Sequence, residues 1–420
     1  MLSKKLALKE IANSIKNKKV LIRVDFNCPI KDSKVIDTTK ISESLQSIKF
    51  AKDNGARSII LMSHLGRPNG QKNNKYTLKP VAEAASDLLN EKVHFLNDCI
   101  GDEVRNNIQK SDGGKIHLLE NLRFYAAEEG SYKDQNTGNK IKETDQKINN
   151  FRTELTSLGD IYVNDAFGTC HRAHSSMVGI DLNTRVAGFL LKKELDYFSQ
   201  VIEDPKRPLL VILGGAKVKD KISVILNMLD KVDRMIITGG MAFTFLKAKN
   251  PNFGIGNSLY DSEGATKVMD ILNKAKQNNV EIILPNDFIC NTSINGSIKD
   301  NIYCNNNIKE GYIGIDVGKN SIEQFDKIIK SSNTIFLNGS NGVFENEAGR
   351  EGSEKLINSI VEATSNGAIS ICGGGDTVTL VNSIQSAKNN ISHLSTGGGA
   401  SMELIEGKLL PGINALSNRI

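Results

Sequence analysis

Residues 368–377 read AISICGGGDT, a short apolar run that ends on three glycines, a carboxylate and a hydroxyl. The run is the right length for a buried strand, and Gly373, Gly374 and Gly375 let the chain turn tightly into a helix. A helix opening there aims free N–H groups and the positive end of its dipole at whatever lies above, which favours phosphate. Asp376, in its first turn, is placed to share a magnesium ion carried by a nucleotide. Strand, glycine turn and helix form the repeating unit of open α/β sheets, in which ligands bind beyond the carboxyl ends of the strands.

The same unit recurs in both directions from this point. Apolar, β-branched runs at 18–26, 57–64, 92–96, 115–121 and 160–167 predict strands in the first half. Runs at 208–213, 234–238, 280–284, 334–337 and 391–394 join 368–372 in the second. Helical spacing at 81–89 and 355–364 fills two of the intervals. A chain of 420 residues exceeds the roughly 250–300 at which single cores stop growing, so two domains are expected. The expected class is α/β: two Rossmann-like domains, each a parallel sheet flanked by helices, joined by a hinge helix. Leu191, Leu195, Phe198 and Ile202 lie at helical spacing between the two series and mark that hinge. The predicted division is 1–188, a hinge at 189–203, and 204–404, with the tail 405–420 packing back on the first domain. Residues 126–150 are almost wholly polar and are expected to form a solvated excursion without chemistry.

The strand ends differ sharply between the halves. In the first they carry Arg23, Asp25, Asn27, His64, Arg67, Arg123, His171, Arg172 and His174, a cationic trap with hydroxyl-binding acceptors. Arginine meets two oxygens of a carboxylate or phosphate at once, so the implied ligand is small, acidic and hydroxylated. In the second half they carry glycine pairs and triplets, including Gly214, Gly215, Gly239, Gly240, Gly339, Gly342 and 397–399, which imply a nucleotide polyphosphate. Lys217 and Lys221 are expected on one side of a helix that starts after Gly215. No G-x-x-x-x-G-K-[ST] loop or protein-kinase signature is present.

Composition narrows the class further. A net charge of +5, not gathered into basic blocks, argues against nucleic-acid or membrane partners. Six dispersed cysteines without a C-x-x-C pair suit a reducing, cytoplasmic compartment, and no stretch reads as a signal peptide or membrane span. His94, His117 and His393 are read as structural, Cys28 and Cys170 as fillers, and Met241, Phe243 and Phe245 as core.

RVDFN at 23–27, SHLGRP at 63–68, ENLRF at 120–124 and NDAFGTCHRAHSS at 164–176 resemble successive motifs of the phosphoglycerate kinase family. LGGAKVKDKI at 213–222, GGMAFTFLK at 239–247, GVFE at 342–345, GGGDT at 373–377 and STGGGA at 395–400 continue the series, in order. The resemblance implies reversible transfer of a phosphoryl group from 1,3-bisphosphoglycerate to MgADP, giving 3-phosphoglycerate and MgATP, with Mg2+ as cofactor. It assigns Asp25, Asn27, Lys40, His64, Arg67, Arg123, His171 and Arg172 to the phosphoglycerate. It assigns Gly215, Gly239, Gly240, Gly314 and Val343 to adenine and Glu345 to the ribose. Lys221, Asn338, Gly374, Gly375, Asp376 and Thr377 fall to the phosphates, and Asp376 also to the metal. Lys40, Lys217, Gly374 and Gly397 would stabilise the group in flight, and a monomer is expected. The chain departs from the family at Lys40, where the family has its transfer arginine, at Ser340 and Asn341, which point to looser adenine packing, and at Gly349, where an aromatic is usual. Two other readings stand beside this one: a low-activity or regulatory paralogue weakened by Lys40, and a non-catalytic binder of acidic partners, against which Lys217 and 374–377 argue.

Overall fold

The computed structural model describes residues 1–134 and 136–419. Its chain divides into two compact units, Met1–Asp196 with the tail from Leu409, and Tyr197–Lys408. The break falls inside the helix Phe189–Ile202, and residues 405–408 stay with the second unit, where the Ile405 carbonyl accepts a hydrogen bond from Asn227. The tail is held on the first unit by Lys5 Nζ donating to the Leu416 carbonyl (2.9 Å) and by Ser417 N donating to Arg185 O (2.8 Å).

Each unit is built on a six-stranded, wholly parallel sheet. In the first the order is Arg185–Ala187, Ile161–Asp165, Lys19–Val24, Ser58–Met62, Lys115–Leu118, Val93–Phe95. In the second it is Glu281–Ile283, Arg234–Ile237, Leu209–Leu213, Thr334–Asn338, Ile369–Cys372, His393–Leu394. Each of the eleven predicted runs coincides with one of these strands, Thr334–Asn338 reaching one residue past its run. Strands such as Leu209–Leu213 are apolar and buried at every position because helices cover both faces of the sheet. Each such side chain contributes roughly 1.5–3 kcal/mol through burial.

The sheet order positions the ligand crevices. Lys19–Val24 is flanked by Ser58–Met62 and Ile161–Asp165, and Leu209–Leu213 by Arg234–Ile237 and Thr334–Asn338. The order therefore reverses beside each of these first strands, which opens a crevice at their carboxyl ends. Asp25 and Asn27 follow one, Gly214 and Gly215 the other.

Two regions depart from the sequence reading. The edge strand Arg185–Ala187 and a three-stranded antiparallel sheet of Asp287–Asn291, Ile302–Asn305 and Ile313–Val317 carry too short or too polar a pattern to stand out. Residues 126–150 are not a mere solvated excursion. They form a helical turn, Ala126–Glu129, a hairpin of Ser131–Lys133 with Lys140–Lys142, and the start of helix Asp145–Ser157. Ala127, Glu128 and Glu143 are buried there. Among the described residues no helix is long and apolar enough to cross a membrane.

Candidate active site

In the first unit the loops after four adjacent strands bring the predicted acid-binding residues together. Asn27 Oδ1 accepts from Gly66 N (3.0 Å), and the Arg123 guanidinium donates to the Gly66 carbonyl (2.8 Å), so the turn carrying Arg67 is pinned from both sides. Arg67 and Arg172 are exposed and form no ion pair among the described residues, while Arg123 lies 3.3 Å from Glu129. Lys40, in the first turn of helix Thr39–Asp53, places Nζ 2.9 Å from Asp25 Oδ2. His171 is half-buried next to Arg172. His64 is 5 % exposed; burial, then the cations Arg23 and Arg123, hold its pKa well below the usual value. His174 is likewise pushed down to about 3, by burial first and then by Arg123, Arg23 and Arg172. Neither histidine carries charge at neutral pH, so the cationic character of the cluster rests on arginine and lysine.

Arg23 does not belong to the ligand-facing set. It is fully buried, and its donors go to Ser176 Oγ (2.9 Å), the Val24 carbonyl and His64 Nδ1 (3.1 Å). The sequence reading also missed Glu128 and Glu129. Glu128 is buried and accepts from both the amide (2.9 Å) and the hydroxyl (2.6 Å) of Ser176. The signal was present in the sequence, since the pair of glutamates follows directly on the Arg123 loop. Cys28 and Cys170 are buried and pushed up to about 11 and about 12 by that burial, which makes them unreactive fillers.

In the second unit all of Gly215, Lys217, Lys221, Gly239, Gly240, Gly314, Asn338, Val343, Glu345, Gly374, Gly375, Asp376 and Thr377 line one cavity of about 560 Å³. Gly374 has φ +99° and caps helix Gly375–Asn382; a Cβ there would lie 2.3 Å from Asn338 Nδ2. Thr377 Oγ1 accepts from Gly339 N (2.7 Å), which ties the turn after Thr334–Asn338 to that helix. Asn338 donates to the Gly373 carbonyl (2.6 Å), and its Oδ1 is buried without a partner among the described residues. The cavity thus combines glycine-turn backbone with apolar side chains, and both Lys217 and Lys221 belong to its lining.

The placement of the two lysines needs correction here. Lys217 and Lys221 are not on one helix: Lys217 is extended, Asp261 captures the N–H of Lys219 (2.8 Å) in a 3-10 turn, and the helix begins only at Ile222. Gly397 does not line the cavity, and its N–H already goes to Ser395 Oγ (3.3 Å). Phe243 is core, as expected, packing on Phe288 with ring centroids 5.1 Å apart, and it also forms cavity wall. Gly349 is tightly packed, since a Cβ there would sit 2.8 Å from the Ile315 carbonyl. Asn341 is buried and donates to the Gly352 carbonyl (2.9 Å), so the divergent segment is tied down. Asp316, which sequence reasoning passed over, also lines the cavity; it accepts from Gly352 N (2.6 Å) and Val317 N (2.9 Å).

The model of the phosphoglycerate kinase family matches residues 8–408. The chain belongs to the phosphoglycerate kinase family. It is 56 % identical over 419 residues to the phosphoglycerate kinase of Euplotes crassus and 52 % over 420 to that of Plasmodium falciparum, covering the whole of each. The solved phosphoglycerate kinase of Coxiella burnetii superposes with a TM-score of 0.84 at 34 % identity over 98 % of both chains. The activity is that of the family, a glycolytic phosphoryl transfer between 1,3-bisphosphoglycerate and ADP. Phosphoglycerate kinases work on magnesium nucleotides. Among the described residues no group of three or more His, Cys, Asp or Glu could hold a metal alone. Magnesium carried by phosphates needs only one or two protein carboxylates, and Asp376, exposed beside the Gly374 turn, fits that need.

Proposed function

We propose that the first unit binds phosphoglycerate, the second binds the magnesium nucleotide, and transfer proceeds by positioning and charge stabilisation alone. The observation that carries this reading is the split in site chemistry: arginines and a lysine at the strand ends of one unit, a glycine-walled cavity in the other. Asp25 and Asn27 accept from the hydroxyl group, and Arg67, Arg123 and Arg172 take the carboxylate and phosphate oxygens. The Gly374 turn and Lys221 hold the nucleotide phosphates, Glu345 the ribose, and Gly239, Gly240, Gly314 and Val343 the base. Asp376 would hold the magnesium, which when bound offsets phosphate charge. The attacking ADP oxygen is already anionic, so no nucleophilic side chain or general base is required. Lys40 and Lys217 stabilise the spread charge on the moving group. Because different units hold the two ligands, each turnover must bring them together, and helix Phe189–Ile202 is the hinge on which this occurs. The protein acts in the cytoplasm as a monomer.

Separate calorimetric titrations with 3-phosphoglycerate and MgADP test the assignment. Arg123→Ala removes a charge-assisted donor and weakens 3-phosphoglycerate by roughly tenfold or more while sparing MgADP. Gly374→Ala does the reverse. Loss of the same ligand in both variants would sink the division of labour.

A further inference from the structure

Beneath the cation cluster runs a chain of buried hydrogen bonds, and its geometry decides how His64 meets a ligand. Arg23 is the penultimate residue of strand Lys19–Val24 and has no exposure. Its Nη2 lies 3.1 Å from His64 Nδ1. We propose that Arg23 is a positioning residue: by donating to Nδ1 it fixes His64 as the neutral tautomer with its proton on Nε2, so that the imidazole offers the phosphoglycerate a donor. This rests on the reading above that His64 faces that ligand.

The assignment follows from donor inventory. A guanidinium has five N–H groups, no acceptor, and does not lose its proton in proteins. Nδ1 at hydrogen-bond distance from it must therefore present its lone pair, which leaves the single ring proton on Nε2. Arg23 is not free to turn away. Its Nε donates to Ser176 Oγ (2.9 Å), that hydroxyl donates to Glu128 Oε1 (2.6 Å), and the Ser176 amide donates to Glu128 Oε2 (2.9 Å). Tyr162 adds a hydrogen bond to the Ser176 carbonyl (2.8 Å). Donor directions thus run one way, from guanidinium through hydroxyl to carboxylate, and the buried cation and anion offset one another. On the other side of the ring Nε2 has no partner among the described residues and is not one of the fully buried polar atoms.

The groups acting on His64 from the surrounding elements are Arg23, Arg123, Lys40 and the neutral His174; burial and the three cations oppose a second proton on the ring. An unanchored neutral imidazole could turn its Nε2 lone pair toward an anion, which repels it. Arg23 excludes that state, and the donor stays in place throughout the pH range in which a free histidine would titrate.

Long-range 15N–1H spectra of the 15N-labelled full chain, with His64 assigned by comparison with His64→Gln, read the tautomer directly. The expected result is a protonated Nε2 and a lone-pair Nδ1, unchanged from about pH 6 to 8. A proton on Nδ1, or titration of His64 in that range, overturns the proposal, and this wild-type reading does not depend on any variant folding. Where thermal unfolding shows the variants folded, Arg23→Met gives mixed tautomers and raises KM for 3-phosphoglycerate by about tenfold. Arg23→Lys, which keeps a donor, restores much of both. Addition of 3-phosphoglycerate separates this from the underlying reading: a shifted Nε2 signal supports both, whereas an unshifted one overturns His64 as a ligand contact and, with it, the donor role, leaving only the tautomer.

Discussion

Replacing Lys40 tests phosphoryl transfer at the position where this chain parts from its family. Lys40 and Asp25 are 2.9 Å apart with side chains 41 % and 18 % exposed. An ion pair that open to solvent is worth up to about 1 kcal/mol. Releasing Lys40 toward a phosphoryl group therefore costs no more than about fivefold in population. On the proposed role the ammonium is worth far more in the transition state, since loss of one preorganised donor lowers kcat by about 10²–10³. Lys40→Ala is accordingly expected to lower kcat by that factor and to leave KM for MgADP unchanged. Lys40→Arg regains the planar fork and raises kcat severalfold, up to about tenfold, because the lysine already supplies the charge. A coupled assay at saturating levels of both substrates measures each. If kcat of Lys40→Ala stays within about threefold of wild type, less than the loss of a single donor, Lys40 has no part in transfer. A gain of about 10³ or more in Lys40→Arg, the scale of an arginine finger, would instead mark the wild type as a weakened paralogue.

Two pH profiles follow from buried groups of opposite sign. The Asp316 carboxyl is pushed up to about 7, burial outweighing the donors from Gly352 and Val317. Its folded pKa exceeds the unfolded one, so its contribution to stability is present at low pH and is lost as pH rises through about 7. Asp316→Asn should flatten the decline in unfolding temperature from about pH 4 to 7, and an unchanged slope would count against the buried acid. His117, beside Ser111 Oγ at 2.8 Å, is pushed down to about 4 by burial and then by His94 and Lys115. Here the unfolded chain takes the proton first, so stability is full above about 6.5 and is lost toward pH 4 at about 1.4 kcal/mol per unit. His117→Gln removes that slope in urea titrations; a wild-type profile flat over this window would show His117 to be hydrated.

The strand ends were legible because parallel sheets write them plainly: an apolar run, then the residue that meets the ligand. Gly215, Gly239, Gly314 and Gly374 come from four separate segments, yet each follows or joins a strand that leads to the same cavity. Local periodicity failed where pairing is decided from afar. Arg185–Ala187 is three residues long and is a strand because Ile161–Asp165 and the tail around Ser417 hold it. Lys217 and Lys221 have helical spacing, but Asp261, forty residues on, draws the chain into a 3-10 turn instead.

The missed carboxylates have a physical explanation of another kind. Arg23, Arg123 and Lys40 around a buried His64 form a positive field that the fold must offset before any ligand arrives. Asp25 pairs with Lys40, and the arginines are offset by Glu128 and Glu129, in a segment whose polar composition suggests only solvation. Composition cannot separate a glutamate facing water from one set beneath arginines, since both are polar and neither has an apolar partner in sequence. What separates them is burial: Glu128 is 1 % exposed and its carboxylate bonds Ser176, which in turn holds Arg23. The motif residues therefore owe their geometry to a neighbour outside every motif. Arg23, the first residue of RVDFN, spends its donors on Ser176, Val24 and His64, which leaves Asp25 and Asn27 as the polar side chains of that motif not fully buried.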